Sequence, residues 1–397
     1  MRLRDGFCFK KIENDTYLLP YGQAVAEFSR GMKLNASGEF IAFLLTLNLS
    51  KDKILEKMRD KYGASDEDMP ILEKDLDDFL NHLKSMGVLI EDEEINRDYI
   101  KNQSEEAVFN IAGFSLRYHG PLSLLRKEMS AFAADPAPEN ADANYDQEIC
   151  IVKGMPGSYP IGNLLLRTPE LSVIENDNIY AFIYSRNNHV NEMHVSKDAS
   201  SVFIYSEKRA ANSTGQYSEA EEIFFAMRTA FFILAQQNGL CAIHSSSILY
   251  NGKAILFSGP SGAGKSTHAA LWKKAFDVAY INGDLNLIGC DKDTGEATVY
   301  GLPWCGTSDI YNAGSWPLGA IVLLDHGIKN LVHRLSGSEM ILSISQRMIS
   351  PTWTENLFSS NIKTASDVCA LVPVLRYACT KKPEAARILK GVLDKEG

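Results

Sequence analysis

Along residues 1–92 the apolar positions change period once. Short strand-like runs come first, in GFCFKKI (6–12), TYLLP (16–20) and FSRGMKL (28–34), and they predict three strands. The spacing then becomes helical. Asn35 is placed to cap ASGEFIAFLLTL, and a second helix starts after Ser50 with Ile54, Leu55, Met58 and Tyr62 on one face and Gly63 as its stop. In the third helix Leu72, Leu76, Phe79, Leu80, Leu83 and Met86 form one stripe that Gly87 closes, and VLI (88–90) ends the module as a strand. Residues 93–106, within the charged run EDEEINRDYIKNQSEEA, read as a linker or as a solvated helix.

From 107 to 222 the pattern is mostly strand-like, as in VFNIAGFSLRYHG, EICIV, NIYAFIYS and SSVFIYS. ADPAPENADANYDQ (134–147) interrupts it with the composition of an exposed loop. A long helical stretch near 218–239 opens the last segment, 223–397. There a strand (CAIHSSSILY), an Asn-Gly turn, a second strand (KAILFSG), a glycine loop and a helix follow in order. The expected fold class is α/β: a P-loop domain with a mixed sheet, preceded by a β-rich lobe (107–222) and a small α+β module (1–92).

Composition narrows the setting. The chain has 397 residues, too many for one ordinary core, and its apolar and charged fractions of 45% and 23% are those of a soluble globular protein. A net charge of −10 argues against nucleic acid as partner. Seven dispersed cysteines without C-x-x-C spacing read as reduced thiols in a cytoplasmic protein rather than a disulfide frame or zinc site. MRLRDGFCFKK lacks the apolar stretch of a secretory signal, and IFFAMRTAFFILA (223–235) is too short to span a bilayer and carries Arg228 in its middle. No membrane association is expected.

The chemistry concentrates in Gly259-Pro260-Ser261-Gly262-Ala263-Gly264-Lys265-Ser266-Thr267, which satisfies G-x-x-x-x-G-K-[ST] between an apolar strand and a helix. Glycines let successive N–H groups turn inward on an anion, and the helix N-terminus adds its positive end. Lys265 would neutralise the β- and γ-phosphates of ATP, GTP being a second candidate, and Ser266 would reach Mg²⁺. A further acid is needed for the metal. Asp284, nineteen residues after Lys265, and Asp325, at the end of AIVLLD, fit equally well by pattern.

HSSSILYNGKAILFSGPSGAGKSTHAALW followed by INGDLNLIG resembles the HPr kinase/phosphorylase family and its relatives in the PEP-carboxykinase-like superfamily, over roughly residues 220–325. The resemblance implies a kinase fold with Asp284 as magnesium ligand. It also implies that His244, fifteen residues before Gly259, relays a proton near the γ-phosphate or supports a residue that does. Two departures stand out. Where that family has adjacent aspartates this chain reads Gly283-Asp284, which leaves the base open among His244, Asp309 and no residue at all. The family's downstream phosphorolysis signature has no clear equivalent, which argues against the reverse activity and against HPr as substrate. GLPWCGTSDIYNAGSWPLGAIVLLD (301–325) is similar to the same region in peptide-cluster relatives of this kinase. Pro303, Trp304, Gly306 and Thr307 would form a loop near the phosphates there, or simply a buried Trp-Pro turn. Arg334 and Arg347 are candidates to stabilise transferring charge, or ordinary surface arginines. His189 and His194 lack a third ligand nearby and read as loop or strand histidines.

Residues 1–92 resemble the PqqD family of leader-peptide recognition modules, in their three strands, LNASGEFIAFLL (34–45) and DLDDFLNHLKSMGVL (75–89). That resemblance implies that a precursor leader adds a strand beside residues 28–34 and packs on 69–86. Phe28, Met32, Leu76, Phe79 and Leu83 would line the groove, or else form the module's own core. With 14 Lys and Arg against 20 Asp and Glu in residues 1–100, a DNA-binding use of such a fold is disfavoured.

Three functions follow as expectations. One is a leader-guided, Mg-ATP-dependent kinase that phosphorylates a hydroxyl of a ribosomally made precursor peptide, in analogy with the lasso-peptide kinases. A second is a leader-binding chaperone whose ATP site works only as a switch. The third is a small-molecule kinase. Self-association into a homo-oligomer is left open.

Overall fold

The protein's structure, a computed structural model, describes residues 2–3, 7–13, 15–20, 31–46, 51–86, 88–90, 105–136, 144–154, 156, 160, 162–176, 178–184, 188–207 and 217–396. They divide into two compact units, Met1–Asp98 with Pro156–Ile161, and Tyr99–Met155 with Gly162–Gly397.

In the first unit β1 (Phe7–Ile12), β2 (Asp15–Pro20) and β3 (Met32–Leu34) form an antiparallel sheet in that order, and Arg2–Leu3 pairs with Leu89–Ile90. The helices α1 (Ala36–Thr46), α2 (Lys51–Tyr62) and α3 (Met69–Ser85) follow. Asn35 caps α1 as expected, its Oδ1 accepting from Gly38 N at 2.8 Å. Leu76, Leu80 and Leu83 of α3 are buried against Leu18, Ile41, Leu45, Ile54 and Met58. Leu76 and Leu83 therefore belong to the module's own core and are not groove residues. Met32 and Phe79 are half-buried at its margin. Among the described residues β3 pairs only with β2, which leaves it an edge strand. Phe28 and the start of the expected third strand, Gly87, and residues 93–104 of the expected linker lie outside the described residues.

The second unit contains two sheets. The first has nine strands in the order Asn163–Arg167, Leu171–Glu175, Ile179–Tyr184, Val190–Ser196, Ser201–Ser206, Gln147–Lys153, Phe114–His119, Glu106–Ile111 and Ala133–Ala134. Gln147–Lys153 runs parallel to both neighbours and every other pairing is antiparallel. Across it lies α4 (Glu219–Gln237), opened by a capping box in which Glu221 N donates to Ser218 Oγ and Ser218 N to Glu221 Oε2. The expected boundary between 222 and 223 falls inside this helix. Ile223, Met227 and Phe231 share one core with Ile204 of the nine-stranded sheet and with Leu285 and Trp304 of the P-loop segment.

The second sheet holds β4 (Cys241–Tyr250), β5 (Lys253–Ser258), β6 (Leu285–Cys290), β7 (Ala297–Tyr300), β8 (Ser315–His326), β9 (Leu331–Arg334) and β10 (Val374–Cys379), with Ala279–Tyr280 paired to β4. The pairings β5–β4–β6–β7–β8 close on themselves because β8 also runs parallel to β5; beyond β8 come parallel β10 and antiparallel β9. The sheet is thus mixed and the protein a mixed α/β structure. Strand residues alternate between two cores. Leu256, Ile321 and Leu323 face α6 (Gly337–Ser345) and α7 (Glu355–Leu371). Phe257, Ala320 and Val322 face α5 (Lys265–Phe276) and α8 (Pro383–Glu396). Burial on both faces explains why KAILF and AIVLL read as unbroken apolar runs. Among the described residues no helix is long and apolar enough to cross a membrane.

Candidate active site

The phosphate-loop sequence leaves β5 at Gly259, where an added Cβ would stand 2.7 Å from Leu324 O of the neighbouring β8, so only glycine lets the two backbones meet. Gly262 and Gly264 carry φ of +80° and +95°, and α5 starts at Lys265 with no side-chain cap on its first amides. Ser261, Ser266 and Thr267 are exposed, and Ala263 is buried with its N–H donating to Pro260 O. Lys265 Nζ folds over the loop and donates to Gly259 O at 3.2 Å and Pro260 O at 3.3 Å. Burial lowers the Lys265 pKa, the negative charge of Asp284 raises it and the Arg347 charge lowers it further.

Asp284 stands directly before β6, whose Leu285 is in register with His244 of β4. His244 Nε2 lies 3.0 Å from Asp284 Oδ1. That hydrogen bond holds the Asp284 carboxyl below the usual carboxylate range against the opposing effect of burial, with His244, Lys265 and Arg228 adding charge. His244 is also tied to the phosphate loop's strand, since Ser258 Oγ donates to His244 O at 2.7 Å.

A buried polar network fixes the acid. Ser245 N donates to Asp284 O and Ser246 Oγ to Gly283 O. Ser247 Oγ donates to Asn286 Oδ1 at 2.6 Å, and Asn286 Nδ2 donates back to Ser245 O at 2.8 Å. Asn282 Oδ1 accepts from the amides of Asp284 and Leu285, while its Nδ2 donates to Leu302 O. Ser245, Ser246, Ser247, Asn282 and Asn286 are all essentially inaccessible to solvent. Sequence reading passed over these five residues; three consecutive serines inside a buried strand were the available signal.

The segment after β7 covers the acid from the other side. Trp304 is buried against Phe224, Phe231 and Phe232 of α4, and its Nε1 donates to Phe224 O at 2.9 Å. A Cβ on Gly306 (φ +61°) would come 2.7 Å from Asp284 Oδ2, and one on Gly283 would come 2.1 Å from Ser308 Oγ. The turn is therefore both a buried Trp turn and the wall of the site. It leaves no room for a side chain at 283, where the family resemblance implies a first aspartate.

Of the other candidates, Arg347 is joined to the site, its carbonyl accepting from His244 N at 3.1 Å and its charge reaching Lys265. Asp325, next to last in β8, is in register with Ala378 of β10 and lies 4.0 Å from Arg376 Nε. Asp309 is exposed and ion-paired with Lys127 at 2.8 Å. Arg334 sits on the edge strand β9, beyond β10. His194 pairs with Glu192 at 2.6 Å within its own strand. None of the seven cysteines is in a disulfide; Cys8 and Cys290 are half-buried and the rest buried.

These residues fit a magnesium nucleotide. The described residues contain no cluster of three or more His, Cys, Asp or Glu able to cage a metal. Magnesium bound to nucleotide needs no such cage, because one or two carboxylates together with phosphate and water complete its shell. The uncapped amides of α5, the Ser266 hydroxyl and one ionised Asp284 supply that kind of donor set.

No family model matches the chain, and no curated protein matches it significantly. Solved structures do. TbiB1 in complex with the TbiA(beta) leader peptide is similar at 26% identity and a TM-score of 0.19, over 22% of this chain and 94% of that one. The HPr(Ser) kinase/phosphatase from Coxiella burnetii is similar at 12% identity and a TM-score of 0.24, over 39% of this chain and 99% of that one.

Proposed function

We propose that the chain is an Mg-ATP-dependent kinase that phosphorylates a hydroxyl of a precursor peptide held by its leader on residues 1–92, with a PEP-carboxykinase-like P-loop domain as the catalytic part. The single observation that carries the reading is the 3.0 Å pairing of His244 with Asp284 at the phosphate loop, locked by the buried serine–asparagine network. The nucleotide supplies the phosphoryl group and its metal the charge neutralisation. The amides of Gly262 and of residues 264–267, with Lys265, would grip the phosphates, and the Ser266 hydroxyl and Asp284 would hold the metal. As the acceptor oxygen bonds to the γ-phosphorus, the bond to the bridging oxygen breaks and ADP leaves. The acceptor's proton passes to the Asp284–His244 pair. Arg347 adds positive charge next to Lys265. A loose transition state asks for positioning and charge more than for a strong base, which suits a site with one carboxylate.

The edge of β3, unpaired among the described residues, supports the leader-binding half, since a strand edge is what strand addition needs. A second reading, a leader-binding protein whose nucleotide site only switches conformation, draws support from Gly283, where Ser308 occupies the room a second acid would use. Mixing the full chain with Mg-ATP and any short precursor peptide found encoded beside its gene separates them by mass spectrometry. A phosphate added to the peptide, and lost with Lys265→Ala while leader binding persists, is expected. Binding without added phosphate favours the switch, and phosphorylation by the Lys265→Ala variant overturns the site.

A further inference from the structure

The acids of α3 fall into two sets. Glu73 and Asp77 share Lys51, at 3.5 and 2.8 Å, where α2 begins. Asp75 and Asp78, one turn apart on the helix, have neither an ion pair nor a side-chain hydrogen bond among the described residues. Like charges at that spacing disfavour the helix that carries them, so the fold gains nothing from the pair. Both stand exposed at a cavity of about 480 Å³ lined by the first turns of α1, the later turns of α2 and the first half of α3. Its floor is apolar. Ile41 and Met58 are 2% and 1% exposed, and Leu72 and Phe79 are half-buried against the same core. Among the described residues no lysine or arginine lines it. Gly38 gives Phe79 its room: it is a poor helix former in α1, and a Cβ there would come 3.1 Å from the Phe79 ring. The cavity also continues the open edge of β3. That strand ends at Leu34, and the next residue, Asn35, is part of the lining. A peptide added along β3 therefore meets the cavity at the end of its track.

We infer that this cavity receives a Lys or Arg side chain of the leader, its methylenes on Leu72 and Phe79 and its charged head at Asp75 and Asp78, with a neighbouring apolar side chain filling the floor over Ile41 and Met58. A long cationic side chain meets both demands, since its stem covers apolar surface while its head takes the anions. The inference rests on the leader-binding reading of residues 1–92 and adds to it which leaders are accepted, namely those that pair a basic residue with an apolar one.

The test is a selection of random displayed peptides on the full chain, keeping those that protect the amides of Met32–Leu34 from hydrogen exchange. The kept peptides should share a Lys or Arg beside an apolar residue. Their affinity, read by fluorescence anisotropy, should fall roughly fivefold or more when Asp75→Asn is combined with Asp78→Asn, and should fall with added salt. The melt of that variant should match the parent's. Asp75→Lys combined with Asp78→Lys should prefer the same peptide with its basic residue changed to glutamate. Peptides that protect β3 but carry no basic residue, or that bind the Asn variant as tightly as the parent, overturn the inference and leave the leader reading standing. If no peptide protects β3, the leader reading falls and this inference falls with it. A change in the sedimentation of the free chain when the two acids are substituted would assign the cavity to a second copy and would overturn it too.

Discussion

Two residues carry opposite protonation demands within a few turns of the phosphate loop. Asp284 is kept ionised by His244, while His268 on α5 is kept neutral: burial pushes its pKa down to about 4, and Trp272 Nε1 donates to its Nε2 at 3.3 Å. In the unfolded chain His268 takes up its proton near pH 6.5, so between that pH and about 4 the unfolded state binds the extra proton and stability falls with acid. Urea midpoints should decline over that window by an amount on the order of 3 kcal/mol in free energy, and His268→Leu should flatten the slope. At Gly306 the demand is for space. Gly306→Ala drives a methyl into Asp284 at a backbone angle of +61°, and it should cost about 1–3 kcal/mol in a denaturant melt. It should also cut phosphate transfer more deeply than Mg-ADP affinity.

At the level of elements, the site depends on how β4 is stapled to the turn before β6. Asn286→Leu would remove the bonds Asn286 makes to Ser245 and Ser247, leaving the Ser247 hydroxyl only the Asn282 backbone, and should cost about 1–3 kcal/mol in thermal or chemical melts. Because the same network holds the backbone of Asp284, transfer should fall in this variant even at temperatures where it is fully folded. This part of the molecule was only half legible in the sequence. The phosphate loop announces itself by local chemistry, and so do the Asn35 cap and the Asn-Gly hairpin at 251–252, where both residues take positive φ. Asp284 and Asp325 tie on pattern and the family resemblance favours Asp284; the fold adds the strand register that places His244 opposite Leu285. Register depends on partners distant in the chain, so no local window contains it.

One core of the second unit runs across the 222/223 boundary, so the segments on either side are not two lobes in sequence. A cut at 222/223 would divide α4 and strip the nine-stranded sheet of Ile223, Met227 and Phe231. A fragment that begins at residue 223 should therefore lack a cooperative melt by circular dichroism, whereas one that begins at 105 should retain it. Sequence periodicity placed the boundary there because strands give way to a helix, but burial joins what periodicity separates. β8 carries this unity furthest. Its first residues pair with β7 and the rest bind β5 and β10, ending where Leu324 O abuts Gly259. It works as a ruler of fixed length: one added residue would exchange the side chains of its two buried faces and misalign the loop that starts at Gly259 in the same stroke. The turn at 291–296 lies outside that measured span, and an equal insertion there should pass almost unnoticed in folding and in the proposed phosphate transfer.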